Sequence, residues 1–225
     1  MICHGIPPEY INQVVTGDAR ELAKRIPDNS IDLIFTDPPY PREFLDCYTL
    51  VSEIGARVLK PSGLCFVYSG ETYLPEVITR LSSHLNYHWT IALLHKEKQI
   101  VWNTRMIAGW KPILLYVKGK MSYDRILPDV VSLVPRDKQF HQWGQPIGAA
   151  INYISWCTKV GDIVLDPFCG GGTTGAACRM LGRNFITFEI DPVTADIACQ
   201  RIEQQQMPLI LLDVEQPSFI QEDQT

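Results

Sequence analysis

The strongest constraint in this sequence is an apolar run that stops abruptly. Ile31-Asp32-Leu33-Ile34-Phe35 is short and rich in β-branched and aromatic residues, and Thr36-Asp37-Pro38-Pro39-Tyr40 follows it. A run of this kind, closed by prolines, predicts a buried strand. Pro38 and Pro39 have a fixed φ and no N–H to donate, so the backbone leaves the sheet as a stiff extended turn. The turn carries an acid, a carbonyl outside any helix and an aromatic ring. In an open α/β sheet these groups stand at the carboxyl edge, where such sheets bind ligands. An acid and a carbonyl can accept hydrogen bonds from an amino group, and the ring can stack on a flat heterocycle.

The rest of the chain predicts such a sheet. Gln13-Val14-Val15-Thr16 reads as a strand and 19–26 as a helix, with Asp18 as its N-cap. Helical spacing over 45–59 ends at Lys60-Pro61-Ser62-Gly63. Further strands are expected at 64–68, 88–94, 112–117, 162–168 and 184–189, and helices at 74–85, 147–157, 173–181 and 192–205. Residues 1–12 predict an irregular lead-in, and 213–225, with four acids and no base, a frayed tail. Apolar order fails over 96–109 and over 118–143. Strands alternating with helices predict an α/β, doubly wound, mostly parallel seven-stranded sheet in one domain over 1–225, with 96–143 as a short insertion.

Composition narrows the class. An apolar share of 46% and a charged share of 20% are those of a soluble globular chain. No apolar run approaches the roughly 18 residues of a membrane span. Met1-Ile2-Cys3-His4-Gly5 lacks the form of a signal peptide. Seven cysteines without a Cys-x-x-Cys pair suggest reduced thiols in the cytoplasm and neither a zinc site nor a disulfide framework. The net charge of −5 is unevenly spread: 95–140 holds nine Lys/Arg against four acids, leaving −10 on the remainder. A basic segment on an acidic body is a candidate footprint for phosphates.

A second stretch predicts a cofactor site. Asp166-Pro167-Phe168-Cys169-Gly170-Gly171-Gly172-Thr173-Thr174 reads as strand end, glycine turn and helix start. Glycines admit close backbone approach, and the helix N-terminus favours an anionic group such as a carboxylate. Glu189-Ile190-Asp191 follows at the end of the next strand, where an acid can accept from ribose hydroxyls. The glycines do not form the dinucleotide fingerprint, nor does a Lys-Ser/Thr ending mark a phosphate loop. A glycine turn with a ribose acid suits a nucleoside bearing an amino-acid tail, S-adenosyl-L-methionine.

With both stretches in view, the sequence resembles the amino-methyltransferases that act on exocyclic nitrogens of DNA bases. It is similar to their permuted beta group, in which Asp-Pro-Pro-Tyr precedes the glycine loop. The resemblance runs from Val15 to about Ile202 and includes Gly17-Asp18, 27–34, Lys60-Pro61-Ser62-Gly63-Leu64 and 160–168. It implies a circularly permuted S-adenosylmethionine-dependent methyltransferase fold. It also implies that Asp37 and the Pro38 carbonyl accept from the target amino group, with Tyr40 stacked on a flipped-out base and Pro39 completing the motif. Asp166, Pro167, Phe168, Cys169, Gly170, Gly172 and Thr173 would hold the methionine end of the cofactor. Glu189, Ile190 and Asp191 would lie on the ribose side, and Asp18 near the adenine. Relatives with this motif usually methylate adenine N6; cytosine-N4 enzymes more often carry Ser before the proline pair.

The resemblance has gaps. Relatives' His-Pro-Thr-Gln-Lys-Pro is His141-Gln142-Trp143-Gly144-Gln145-Pro146 here, and a glutamate common before Pro112 is Lys111. The 96–143 region is short for sequence recognition. Lys96, Lys98, Trp102, Arg105, Lys118 and Lys120 are the candidates for contact with double-stranded DNA, and a homodimer suits so small a recognition region. Cytosine N4, an RNA base or a non-catalytic subunit remain as alternatives at this stage.

Overall fold

The computed structural model describes residues 5–102, 104–122, 126–132 and 147–205; side chains of 95–99 lie outside the description. In chain order the elements are β1 (Gln13–Thr16), α1 (Ala19–Leu22), β2 (Ile31–Thr36), α2 (Asp46–Val58), β3 (Leu59–Tyr68), α3 (Leu74–Leu81), β4 (Asn86–Val101), β5 (Met106–Val117), β6 (Val130–Ser132), α4 (Ile147–Cys157), β7 (Ile163–Asp166), α5 (Thr173–Leu181), β8 (Asn184–Glu189) and α6 (Pro192–Glu203).

The strands form a sheet in the order β1-β8-β7-β2-β3-β5-β4-β6. Pairing is parallel from β1 through β3, antiparallel at β3–β5 and β5–β4, and parallel again at β4–β6. Alternation along β2 explains the two layers of helix. Ile34 joins a core with residues of α2 and α3, whereas Leu33 and Phe35 join a second core with α4 and α5. Burial on both faces makes β2 an almost continuous apolar run, as a central parallel strand requires.

Chain direction sets the functional edge. Thr36 is level with Val67, Ile34 with Leu165, Asp166 with Thr187 and Thr16 with Glu189. Asp37, Asp166, Glu189 and Asp18 therefore leave the sheet along one carboxyl edge, although they are far apart in sequence.

Two differences from the sequence reading concern the antiparallel side. Among the described residues the sheet has eight strands, the extra one being β6, whose three residues pair with 92–94. β4 and β5 pair on as a ribbon beyond Tyr68, whose level on the sheet is Ile113 and Ile91; residues 99–101 pair with 106–108 after a register shift between Leu94 and Gln99. The seven steps of β5 from Ile113 back to Met106 carry this arm roughly 23 Å past that level. Its apolar residues remain exposed, including Ile100 at 53% and Met106 and Ile107 at 64%. A ribbon with no covered face imposes no apolar–polar alternation, which is why these residues gave no strand signal. The lead-in is also more ordered than expected: Pro8–Tyr10 is a 3-10 turn, and Tyr10 is buried edge-on against Phe188, with ring centroids 5.6 Å apart.

Candidate active site

At the end of β2, Thr36 and Pro38 are buried, Asp37 and Tyr40 are half-buried and Pro39 is exposed. The proline pair holds the turn extended, bringing the Tyr40 hydroxyl back to donate to Asp37 Oδ1. Burial, then the neighbouring Asp37 charge, pushes the Tyr40 phenol far above its ordinary value, so it remains a donor. Lys111, in β5, places Nζ 3.8 Å from Asp37 Oδ2, 4.2 Å over the Tyr40 ring and 5.2 Å from the Tyr68 ring centroid. Burial pulls the Lys111 ammonium below its ordinary pKa, while Asp37 and Glu71 pull it back up.

Across the edge, Asp166 is buried and accepts from Thr36 Oγ1 at 2.6 Å and from the Phe168 N–H at 3.1 Å. Burial raises its carboxyl from 3.8 to about 6 against the opposing pull of these hydrogen bonds. The loop that follows needs left-handed glycines: φ is +49° at Gly170 and +76° at Gly172. A methyl group on Gly172 would stand 3.1 Å from both Cβ and the carbonyl oxygen of Ala198, whereas on Gly170 it would meet nothing within 4 Å. The loop opens α5 and is braced from two sides. Arg201 donates to the Gly171 carbonyl at 2.8 Å and Thr173 Oγ1 at 3.0 Å, and the Gly170 N–H donates to Glu189 at 2.8 Å.

A cavity of about 430 Å³ unites the two motifs: Asp37, Phe35 and Tyr68 line one side, and Asp166, Phe168, Cys169, Gly170, Gly171, Thr173 and Thr174 the other. The Tyr68 hydroxyl is buried and without a hydrogen-bond partner among the described residues. A buried hydroxyl of this kind takes its partner from an ordered water or a ligand.

Other predicted site residues are placed differently. Glu189 accepts from the Gly170 and Asp191 N–H groups, at 2.8 and 3.1 Å, so it ties the glycine loop to β8. Asp191 caps α6, accepting from Val193 N–H, Thr194 N–H and the Thr194 hydroxyl, and Ile190 is exposed. Asp18 caps α1 by accepting from the Arg20 N–H at 2.8 Å, beside Glu189 on the same edge.

Among the candidates for DNA contact, Trp102 and Arg105 occupy the tip of the arm, Trp102 at 80% exposure and Arg105 with φ +55°. Lys96 and Lys98 belong to the β4 backbone of that arm. Lys118 and Lys120 do not join them. They follow β5 at the amino end of β3, on the opposite edge, and Lys118 Nζ donates to Asn29 Oδ1 and the carbonyls of Arg57 and Leu59 at 2.7, 3.0 and 2.7 Å. The segment His141–Pro146 lies outside the described residues. No cluster of His, Cys, Asp and Glu able to hold a metal ion occurs among the described residues, and none of their helices is long and apolar enough to cross a membrane.

Sequence reasoning missed the part played by Thr36, Tyr68, Lys111 and Arg201. Thr36 and Tyr68 end neighbouring strands and were within reach of strand-end logic; Lys111 appeared only as a departure from relatives, and Arg201 gave no signal.

Comparison with known proteins agrees with this geometry. A DNA methylase family model, N6_N4_Mtase, matches residues 132–200. The chain is 29% identical to Type II methyltransferase M.BamHI of Bacillus amyloliquefaciens, over 80% of this chain and 55% of that protein. It is 27% identical to Type II methyltransferase M.BglII of Bacillus subtilis, over 86% of this chain and 69% of that protein. The chain thus spans little more than half of M.BamHI. Among solved structures, TTHA0409, a putative DNA modification methylase from Thermus thermophilus in complex with S-adenosyl-L-methionine, superposes with a TM-score of 0.72 at 22% identity, covering 86% of this chain and 93% of its own. PvuII DNA methyltransferase, described as cytosine-N4-specific, gives 0.73 at 19% identity, covering 86% and 89%. The M1.HpyAVI–SAM complex gives 0.66 at 25% identity, covering 84% and 98%. The low-identity structures show the fold; the family model and the related sequences make the chain similar to the N6-adenine/N4-cytosine DNA methyltransferases.

Proposed function

We propose that this chain transfers a methyl group from S-adenosylmethionine to the exocyclic N6 of adenine in DNA, by direct attack of a flipped-out base. The observation that carries the reading is the shared cavity, which has Asp37 on one wall and the Asp166–Thr174 loop on the other. The cofactor supplies an electrophilic sulfonium methyl. The residues present suit it: left-handed glycines lower the wall of the cavity, and α5 presents N–H groups to a carboxylate. Asp166, Phe168, Gly170 and Gly172 shape the site for its methionine end, and the Glu189 edge faces the ribose.

A base amino group is a weak nucleophile because its lone pair is delocalised into the ring. Hydrogen bonds from it to the Asp37 carboxylate and the Pro38 carbonyl favour a pyramidal nitrogen with a localised pair. Asp37 is also placed to receive the proton that the methylated amine sheds. Holding nucleophile and methyl donor in line supplies much of the rate in such a transfer. Extruding a base costs a few kcal/mol, and stacking on Tyr40 returns about 1–3 kcal/mol.

The arm is the DNA-facing element in this reading. It rises from the edge that holds Asp37, and its tip offers Arg105 to phosphate and Trp102 to a groove or base stack. Adenine is preferred to cytosine because Asp37 stands where cytosine-N4 relatives more often carry Ser. The same geometry serves cytosine N4, and a cytosine-N4-specific enzyme shares the fold. The test is incubation with labelled S-adenosylmethionine and unmethylated DNA, followed by digestion to nucleosides. Label in N6-methyladenine is the expected result. Label in N4-methylcytosine changes the base and keeps the mechanism; label in RNA alone, or none with cofactor still bound, overturns the proposal.

A further inference from the structure

Lys111 has no part in the reading above, yet its ammonium faces Asp37. Its side chain is only 8% exposed, which is unusual for lysine unless the charge is compensated. The register explains its position. Ile113 is level with Tyr68 and β5 runs antiparallel to β3, so Lys111, two residues before Ile113, lies beyond Tyr68 over the carboxyl edge. There its ammonium sits between the Tyr40 and Tyr68 rings, which offer π-faces, and Asp37 Oδ2, which offers the charge.

Asp37 in turn needs a counter-charge. It lines the same cavity as the buried Asp166, and each carboxylate disfavours ionisation of its neighbour. A protonated carboxyl has an O–H to donate and has lost acceptor capacity, the wrong state for holding an amino group.

We infer that Lys111 is a positioning residue that keeps Asp37 ionised, and hence an acceptor for the target amine. This inference rests on the methyl-transfer reading of the site. At 3.8 Å the Lys111 ammonium forms an ion pair with Asp37 Oδ2, longer than an ordinary hydrogen bond. Tyr40 occupies part of Oδ1 and leaves Oδ2 facing Lys111. Among the described residues, the titratable groups around the pair include Tyr40 itself, Tyr48 of α2, Tyr68 of β3, Glu71 beyond β3 and Asp166 of β7. Burial drives the three phenols upward, so they stay neutral through the working range, and the acids add only negative charge. Of the groups named here, Lys111 is thus the one that brings positive charge to Asp37.

The test pairs two readouts on the full chain. Carbon-13 carboxyl NMR follows the Asp37 titration directly, and the pH profile of methyl transfer under saturating substrate follows its consequence. Lys111→Met is expected to move both the Asp37 midpoint and the acid limb of kcat upward by about 1–3 pH units, the effect of one close opposite charge. Lys111→Arg is expected to restore both toward wild type. Lys111→Gln serves the same comparison if the apolar replacement does not fold. An unmoved Asp37 midpoint, or a loss of rate by one factor at every pH, overturns the inference. A wild-type chain that methylates no nucleic acid, with the Asp37 midpoint still moved by K111M, refutes the functional reading and leaves the electrostatic assignment standing.

Discussion

Gly170 and Gly172 share one backbone demand and differ in surroundings, so replacing each by alanine separates strain from packing. Both have φ in the left-handed region, at +49° and +76°. Forcing an L-residue there costs about 1–2 kcal/mol at either position. At Gly172 the new methyl also meets Ala198 Cβ and its carbonyl oxygen, each at 3.1 Å. These atoms belong to α6, which cannot swing aside as a flexible side chain would, and such overpacking adds roughly 1–3 kcal/mol. Gly172→Ala is therefore expected to cost about 2–5 kcal/mol, against about 1–2 for Gly170→Ala. For a chain of this length each kcal/mol lowers Tm by roughly 2–4 °C. Calorimetry should give a clearly larger fall for Gly172→Ala. Titration with S-adenosylmethionine should add a second contrast, because the Gly170 methyl points into open space on a loop that lines the cavity. Its loss of affinity should be out of proportion to its small loss of stability. Equal falls in Tm would show that strain alone matters and that the approach to Ala198 does not. Undiminished affinity in Gly170→Ala would refute the loop's role as cofactor cradle.

Asp37→Ala should lower methyl transfer by at least about 10²–10³-fold, the effect of losing one preorganised partner of the reacting group, while cofactor affinity by calorimetry stays nearly intact; equal loss of both contradicts the assigned role. The Asp166 carboxyl titrates at about 6 in the fold against 3.8 ordinarily. Between those values the folded chain binds more protons than the unfolded chain, so this residue makes stability fall as pH rises, by up to about 3 kcal/mol. Urea unfolding from pH 4 to 7 should show this slope in the difference between wild type and Asp166→Asn, and a difference of opposite sign refutes the burial argument. Lys118→Met should lower stability by about 1–3 kcal/mol, by deleting the donor of three hydrogen bonds, and leave DNA affinity as it was. Arg105→Ala should do the reverse, weakening binding and reducing the salt slope by about one; gel-shift titrations at several salt concentrations distinguish them.

The parts of this molecule legible in its sequence are those whose physics is local. The strand at 31–36 declared itself because burial on both faces leaves a continuous apolar run, and the proline pair fixed where it ends. The helices at 147–157 and 173–181 fell at the expected residues because their apolar faces repeat at helical spacing. Acids at strand ends could be counted along one edge before any pairing was known, which is why Asp37 and Asp166 were each expected at the carboxyl end of a strand. The arm was illegible for the converse reason: both its faces meet solvent, so nothing patterns the sequence beyond the tip. The charged residues mark the limit most clearly. Lys111 and Lys118 are close in sequence and look alike as basic residues, yet the antiparallel course of β5 sends one to the carboxyl edge and the other to the amino edge. Lys118 there satisfies three backbone and side-chain acceptors of the scaffold, whereas Lys111 faces the carboxylate of the Asp-Pro-Pro-Tyr turn. The direction of β5, set by its pairing with β3 on one side and β4 on the other, decides which cation is structural and which belongs to the site.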